Sequence, residues 1–280
     1  MKPIILLAPA AALLAATASA GPLQSATVTK VVNDVRIHGG SATGQTATEG
    51  AAIGRSNSVH TGRRSRAELT FPDTTLTRIG ANSVFSMAGA GRDIELKQGS
   101  MLVQVPKDSG GATIRTATVT ASITGSTALF EYNPGQWVKL INVEGSMKLG
   151  IKRTENGKTK TEYREVKPGE IITMHPNGRD VPAPMVINLA RLIRTSNLAG
   201  SRYFGALPPT SRSRIDQAIA LQASERREGN LVPGGILARG GDRPFGISGA
   251  STLDIPVRDT QSEHGHDYHD YPYQPPIITP

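Results

Sequence analysis

Between Ala26 and about Met174 apolar residues recur at every second position in short runs, and each run stops at glycine, proline, asparagine or aspartate. Ala67-Glu68-Leu69-Thr70-Phe71 alternates and then meets Pro72-Asp73-Thr74-Thr75. Leu76 to Ile79 ends at Gly80-Ala81-Asn82-Ser83, and Ile94-Glu95-Leu96 leads to Gln98-Gly99. Met101 to Val105 follows, and Thr113 to Ile123 is rich in β-branched residues. Trp137 to Val143 precedes Glu144-Gly145, Tyr163 to Val166 precedes Lys167-Pro168-Gly169, and Ile171 to Met174 closes the series. A period of two places alternate side chains on one face of a strand, and the breakers supply the turns. No helical period of useful length intervenes, which excludes βαβ units and a doubly wound parallel sheet. The pattern predicts an all-β fold of short strands, a β-roll or solenoid-like stack, with a β-sandwich as the alternative.

The period then changes. Over Met185 to Leu198, Val186, Leu189, Ala190 and Ile193 fall at i, i+3, i+4 and i+7, with Pro184 before and Gly200 after, which predicts a helix. Ser213 to Glu228 carries a thinner stripe of Ile215, Ala218, Ile219 and Gln222, a capping-box pair in Ser213 and Asp216, and a stop at Gly229. Pro208-Pro209 separates the two. The first helix is expected to pack on the β domain and the second to be loosely attached or to serve a partner. Past Gly229 the composition turns to Gly, Pro, Ser, Asp and Arg without period, the signature of a tail too poor in apolar surface to order. The expected organisation is a leader over 1–20, a β domain over 26–176, a helical extension over 185–228 and a disordered tail over 229–280.

The leader follows from Met1-Lys2, the apolar run Ile4 to Ala16 and the small-x-small signal Ala18-Ser19-Ala20. Its apolar run is shorter than the roughly 20 residues of a membrane span. Cleavage after Ala20 and a periplasmic or secreted mature chain are the expectation. There is no cysteine, which excludes a disulfide framework, a thiol nucleophile and thiolate metal sites. The net charge of +8 would suit a nucleic acid, but the arginines are scattered and aromatic residues make up only 4% of the chain. The charge is better matched to an acidic partner in the cell envelope.

Candidate chemistry is sparse. Gly125-Ser126-Thr127 lacks the second glycine and lysine of a phosphate loop, and Thr124-Gly125-Ser126-Thr127-Ala128 lacks the Gly-x-Ser-x-Gly of a hydrolase elbow. A strand glycine at a bulge or close approach is the simpler reading, with Ser126 and Thr127 as turn hydroxyls. Glu68 with Asp73, or Glu131 with Glu144, could form a carboxylate dyad, which needs about 5–10 Å between the acids. Acids on alternating strands more often face solvent. His38, His60 and His175 read as exposed loop residues. In the tail, His264, His266 and His269 stand beside Asp267 and Asp270, a donor set that suits zinc, nickel or copper ions. No cofactor site is predicted.

The order of turns resembles the FecR-type periplasmic domain. Glu49-Gly50 through Gly54 with Val59-His60-Thr61-Gly62 is similar to its opening turn, and Ser65 to Phe71 followed by Asp73 to its most recognisable strand and turn. Arg78-Ile79-Gly80-Ala81-Asn82-Ser83, Ile94 to Gly99, Lys107-Asp108, Thr116 to Phe130, Val143-Glu144-Gly145 and Lys167-Pro168-Gly169-Glu170 continue the pattern in order. The resemblance covers roughly Ala26 to Met174. It makes Gly62, Asp73, Ser83, Gly99, Gly125, Gly145 and Gly169 markers of the fold's turns. Thr74 departs from the pattern, which commonly has glycine after the turn aspartate, and extra spacing precedes Phe130.

In the regulators of iron-citrate uptake that carry this domain, it senses an outer-membrane transducer and relays the signal across the membrane. No segment here reads as their membrane helix or cytoplasmic part, so the resemblance implies a stand-alone exported domain without catalytic residues. The expected function is a non-enzymatic binding or scaffold module of the cell envelope, its partner an envelope protein or an acidic envelope polymer. The alternatives are a carboxylate-dependent cell-wall or carbohydrate-active enzyme, and metal capture through the histidine tail.

Overall fold

The computed structural model describes residues 21–39, 44–89, 91–116, 119–178 and 181–227. The leader over 1–20, the tail past 228 and its three candidate metal ligands lie outside the described residues. Among the described residues fifteen strands join in one hydrogen-bonded sheet, and two helices follow, so the fold is β-dominated. The strands are β1 (Ser25–Val32), β2 (Val35–His38), β3 (Gln45–Thr46), β4 (Ala52–Gly54), β5 (Ser58–Thr61), β6 (Arg66–Thr70), β7 (Leu76–Ile79) and β8 (Val84–Ala88). They continue with β9 (Asp93–Gln104), β10 (Ala112–Thr116), β11 (Val119–Asn133), β12 (Trp137–Glu155), β13 (Lys158–Val166), β14 (Glu170–Met174) and β15 (Met185–Val186). The main path runs β15-β14-β12-β11-β10-β9-β7-β6-β1-β4. Within the described residues the β9–β10 pair is parallel and every other pair antiparallel.

The central strands are not short. β9, β11 and β12 run for 12, 15 and 19 residues, and each passes straight through a glycine that the sequence suggests as a turn. Gly99, Gly125 and Gly145 sit inside these strands at φ of +88°, +55° and +85°. Gly125 and Gly145 are bulge positions, where an unpaired residue with left-handed backbone bends a strand without ending it, whereas Gly99 stays in register with Tyr132. The β11–β12 register shifts between Thr124 and Thr127, beside Gly125 and Gly145. Gly62, Asp73, Ser83 and Gly169 do lie in connections between strands.

Each central strand buries both faces, which is why Met101 to Val105 and Val138 to Val143 read as nearly continuous apolar runs. Met101, Val103, Phe130, Leu140 and Ile172 point into the main core with Val28, Leu69, Phe85 and Leu96. Leu102, Leu129, Ile141, Val143 and Ile171 point the other way, into a second core closed by the C-terminal segment through Leu189, Leu192, Leu198, Leu207 and Ile215.

The helices differ from the sequence expectation. Met185 and Val186 pair with β14 as strand β15, and α1 covers only Leu189–Thr195. Asn188 caps it by accepting from the Arg191 amide at 2.9 Å. The second helix, α2, spans Pro209–Arg227 and so begins before the Ser213–Asp216 pair, with proline in its first position. It is not loosely attached. Gln222 is buried and pins it: its Nε2 donates to Ile187 O at 3.1 Å, and its Oε1 accepts from the Leu189 amide at 3.2 Å. Gly169, at φ of +78°, lies under the Gln222 amide group, which a Cβ there would displace.

Candidate functional site

Of the carboxylates that offered a dyad, Glu131 and Glu144 are buried, contrary to the solvent-face expectation, and Glu68 and Asp73 are half-buried. Glu68 ion-pairs with Arg78 at 2.8 Å, and Arg78, 1% exposed, donates onward to Leu198 O at 2.8 Å and Gly205 O at 3.2 Å. Arg78 also lies 5.1 Å from the centre of the Phe204 ring. This side chain ties β6 and β7 to the C-terminal segment. Burial lowers its pKa, and the hydrogen bond and charge of Glu68 oppose that shift.

Asp73 organises the β6–β7 turn by accepting from the Thr75 amide at 3.0 Å and the Thr75 hydroxyl at 2.8 Å, and it pairs with Arg92. Thr74 between them has φ of +65°. The residue where the family pattern commonly has glycine therefore adopts glycine's conformation.

Glu131 and Lys139 face each other across β11 and β12 at 3.6 Å, 0% and 2% exposed, and the Trp137 indole donates to Glu131 at 2.9 Å. Burial pulls the Lys139 pKa down, and Glu131 opposes it. Glu144 sits four residues along the register, opposite Thr127. At about 3.3 Å per residue that is some 13 Å from Glu131, beyond the reach of a dyad. Glu144 accepts from the Thr127 hydroxyl at 2.7 Å, and Arg214 Nε of α2 stands 3.3 Å from its other oxygen. Burial raises the Glu144 pKa, against the Thr127 hydrogen bond and the Arg214 charge.

Ser126 and Thr127 are strand residues and not turn hydroxyls. The Ser126 hydroxyl is fully buried, 2.8 Å from Thr124 O and 2.7 Å from Ser146 O. A Cβ at Gly145 would stand 2.6 Å from that oxygen, and one at Gly125 would stand 2.9 Å from Lys107 Cα. The segment is a stitched double bulge whose hydroxyl serves the backbone. Arg214 Nη1 closes it from above by donating to Gly125 O at 2.9 Å.

The histidines are also placed differently. His38 ends β2 and His60 lies within β5; their rings stack at 4.0 Å and 30°, and Ser58 Oγ is 2.9 Å from His60 Nε2. Burial, then the charges of His38 and Lys97, lower the His60 pKa. His175 is exposed in the turn after β14. Among the described residues no three histidine, aspartate or glutamate side chains gather as metal ligands.

Two surface features remain. A groove of about 830 Å³ lies between the Asp73 turn, Pro106 to Ser109 and the start of α2, lined by Lys107, Asp108, Thr210, Ser213 and Arg214. The other is an arm made by the outer half of β12 and by β13, paired from Met147↔Val166 to Glu155↔Lys158. Lys148, Lys152, Lys158, Lys160 and Arg164 are exposed on it, and Tyr163 is 62% exposed with the Lys148 ammonium 5.0 Å from its ring centre. Sequence reasoning misses Arg214, Lys139 and this arm. Lysine–threonine alternation over 158–161 marks a strand with no apolar face, and it was the available signal.

Residues 57–147, from just before β5 to the first half of β12, match the family model described as "FecR protein". The chain is also similar to two crystal structures, each of a "putative anti-sigma factor" from Parabacteroides distasonis. One shares 14% identity over 49% of this chain and 64% of its own length, at a TM-score of 0.40. The other shares 15% identity over 59% and 75%, at a TM-score of 0.41. The chain thus spans less than two thirds of the first. No curated protein matches the chain. No helix among the described residues is long and apolar enough to cross a membrane.

Proposed function

We propose that the chain is a non-catalytic, regulatory binding module of the cell envelope that works by contact with another protein. The observation that carries this reading is the employment of its candidate catalytic groups. Glu68, Asp73, Glu131 and Glu144 each bond to a cation or donor of the fold, and Ser126 serves backbone carbonyls. A hydrolase needs such groups free and converging on one cleft. Here they are spread along the sheet and used to hold it together. The FecR match supports a regulatory role, and the leader-like first 20 residues support export.

The test is capture from envelope extract at moderate salt on the immobilised chain. A discrete protein retained above a control with scrambled surface charge supports the reading; retention of none removes its basis. The enzyme alternative is decided by assays on peptidoglycan and glycans. Turnover that Glu68→Gln or Glu144→Gln abolishes in a still-folded chain would replace the binding reading.

A further inference from the structure

Strand edges are where a sheet can accept another chain, because alternate N–H and C=O groups of an edge strand point away from its partner. The sheet keeps its edges short at β3, β4 and β15, which have two, three and two residues. β13 breaks that economy: among the described residues its nine residues pair with β12 alone, and nearly all are exposed. Lys158, Lys160 and Arg164 alternate along one face of it, with Thr159, Thr161 and Tyr163 on the other.

Its single interrupting acid is already committed. Glu162 pairs with Arg153 at 3.0 Å and with Arg164, which leaves Lys158 and Lys160 at the outer end without a carboxylate in ion-pair range among the described residues. On the opposite face Lys148 stands across from Glu165, and Tyr163 lies against Gly150, where a Cβ would be 3.4 Å from its ring. Tyr163 is 62% exposed.

We infer that the β13 edge is a docking strand for an extended acidic segment of a partner protein, which adds to the sheet as a further strand. The inference rests on the protein-binding reading above and names where and what it binds. Backbone groups of β13 supply affinity, as in other strand additions. The lysines supply selection: they repel a second copy of this same strand, and they attract a strand with carboxylates on one face. Tyr163 meets an apolar or threonine side chain on the other face.

The test uses the full chain and three labelled peptides of nine residues, the length of β13. One has glutamate at alternate positions with valine and threonine between. The second has the same sequence with alternate backbone nitrogens methylated, so that it keeps the charge and cannot pair. The third replaces glutamate by lysine. Fluorescence anisotropy should give binding of the first only, weakened about tenfold or more by Lys158→Glu with Lys160→Glu, a variant whose circular dichroism and melting stay those of the parent. That variant should take up the lysine peptide instead. Equal binding of the methylated peptide, or of an acidic polysaccharide competing at equal charge, would overturn strand addition. Unchanged binding to the double variant would overturn the site. An envelope partner captured equally by parent and double variant also sinks this inference, while leaving the binding-module reading intact.

Discussion

Arg214 and Glu144 meet across the boundary between the helical layer and the sheet, with Nε of the one 3.3 Å from a buried carboxylate oxygen of the other. The contact joins α2 to the double bulge of β11 and β12, since the same guanidinium also donates to Gly125 O. The folded pKa of Glu144 is raised above its ordinary 4.5. Between those two values the folded state holds more protons than the unfolded one, so this group's contribution to stability falls as pH rises through the window. Removing Arg214 raises the folded pKa further. Arg214→Ala should therefore cost about 1–3 kcal/mol at pH 7.5 and clearly less at pH 5, as urea titrations at the two pH values would read. An equal loss at both would mean that the charge contact contributes nothing.

Thr74→Gly should stabilise the chain. Thr74 is exposed and holds φ of +65°, a region that costs a β-branched residue about 1–2 kcal/mol. Glycine removes that strain and returns part of it as unfolded-state entropy, for a net gain of about 1 kcal/mol. A melting temperature that rises by a few degrees is the expected result.

At the bulge, Gly125→Val and Ser126→Ala should both destabilise, and unequally. Valine brings a Cβ within 2.9 Å of the Lys107 backbone at positive φ. Alanine only strips a hydroxyl from between two strand carbonyls, at about 1–2 kcal/mol. Thermal melts of the two variants would rank them, and similar values would contradict the bulge as the source of the constraint.

Arg78→Met is expected to loosen the C-terminal layer. It leaves Glu68 and the carbonyls of Leu198 and Gly205 without their shared cation, at about 3–5 kcal/mol. Limited proteolysis should then cut within 196–208 well before the sheet is attacked.

The stacked histidines give a second pH signature of opposite sign. The folded pKa of His60 lies below its ordinary 6.5. The unfolded state therefore takes up protons first, and stability present above 6.5 is lost as pH falls through the folded value. His60→Gln should flatten that acid-side loss in chemical denaturation between about pH 6.5 and 5. A parent and variant with parallel pH profiles would remove His60 as its source.

Alternation of apolar and polar residues was enough to assign an all-β chain, to place Asp73 and Gly169 in turns, and to see two helical segments after it. These are local properties: side-chain period and turn chemistry are written within a few residues. The same local view misplaced Gly99 and Gly145, while it read Gly125 rightly as a strand glycine at a bulge or close approach. A glycine between two apolar runs looks alike whether the chain turns back or a neighbouring strand presses against it. At Gly99 the pressing group is Ser83, whose Cα a Cβ there would approach to 2.5 Å. Glu131 and Glu144 looked like solvent residues for the same reason. Their burial comes from α1, α2 and the segment between them, which lie down on the outer face of the sheet from more than 40 positions away in the chain. The sequence by itself thus determined the class of fold and most of its turns. Only the tertiary structure decided which glycines bend a strand, which acids are buried against cations, and that β13, lined with lysines, pairs among the described residues with β12 alone, because each of these depends on a neighbour distant in sequence.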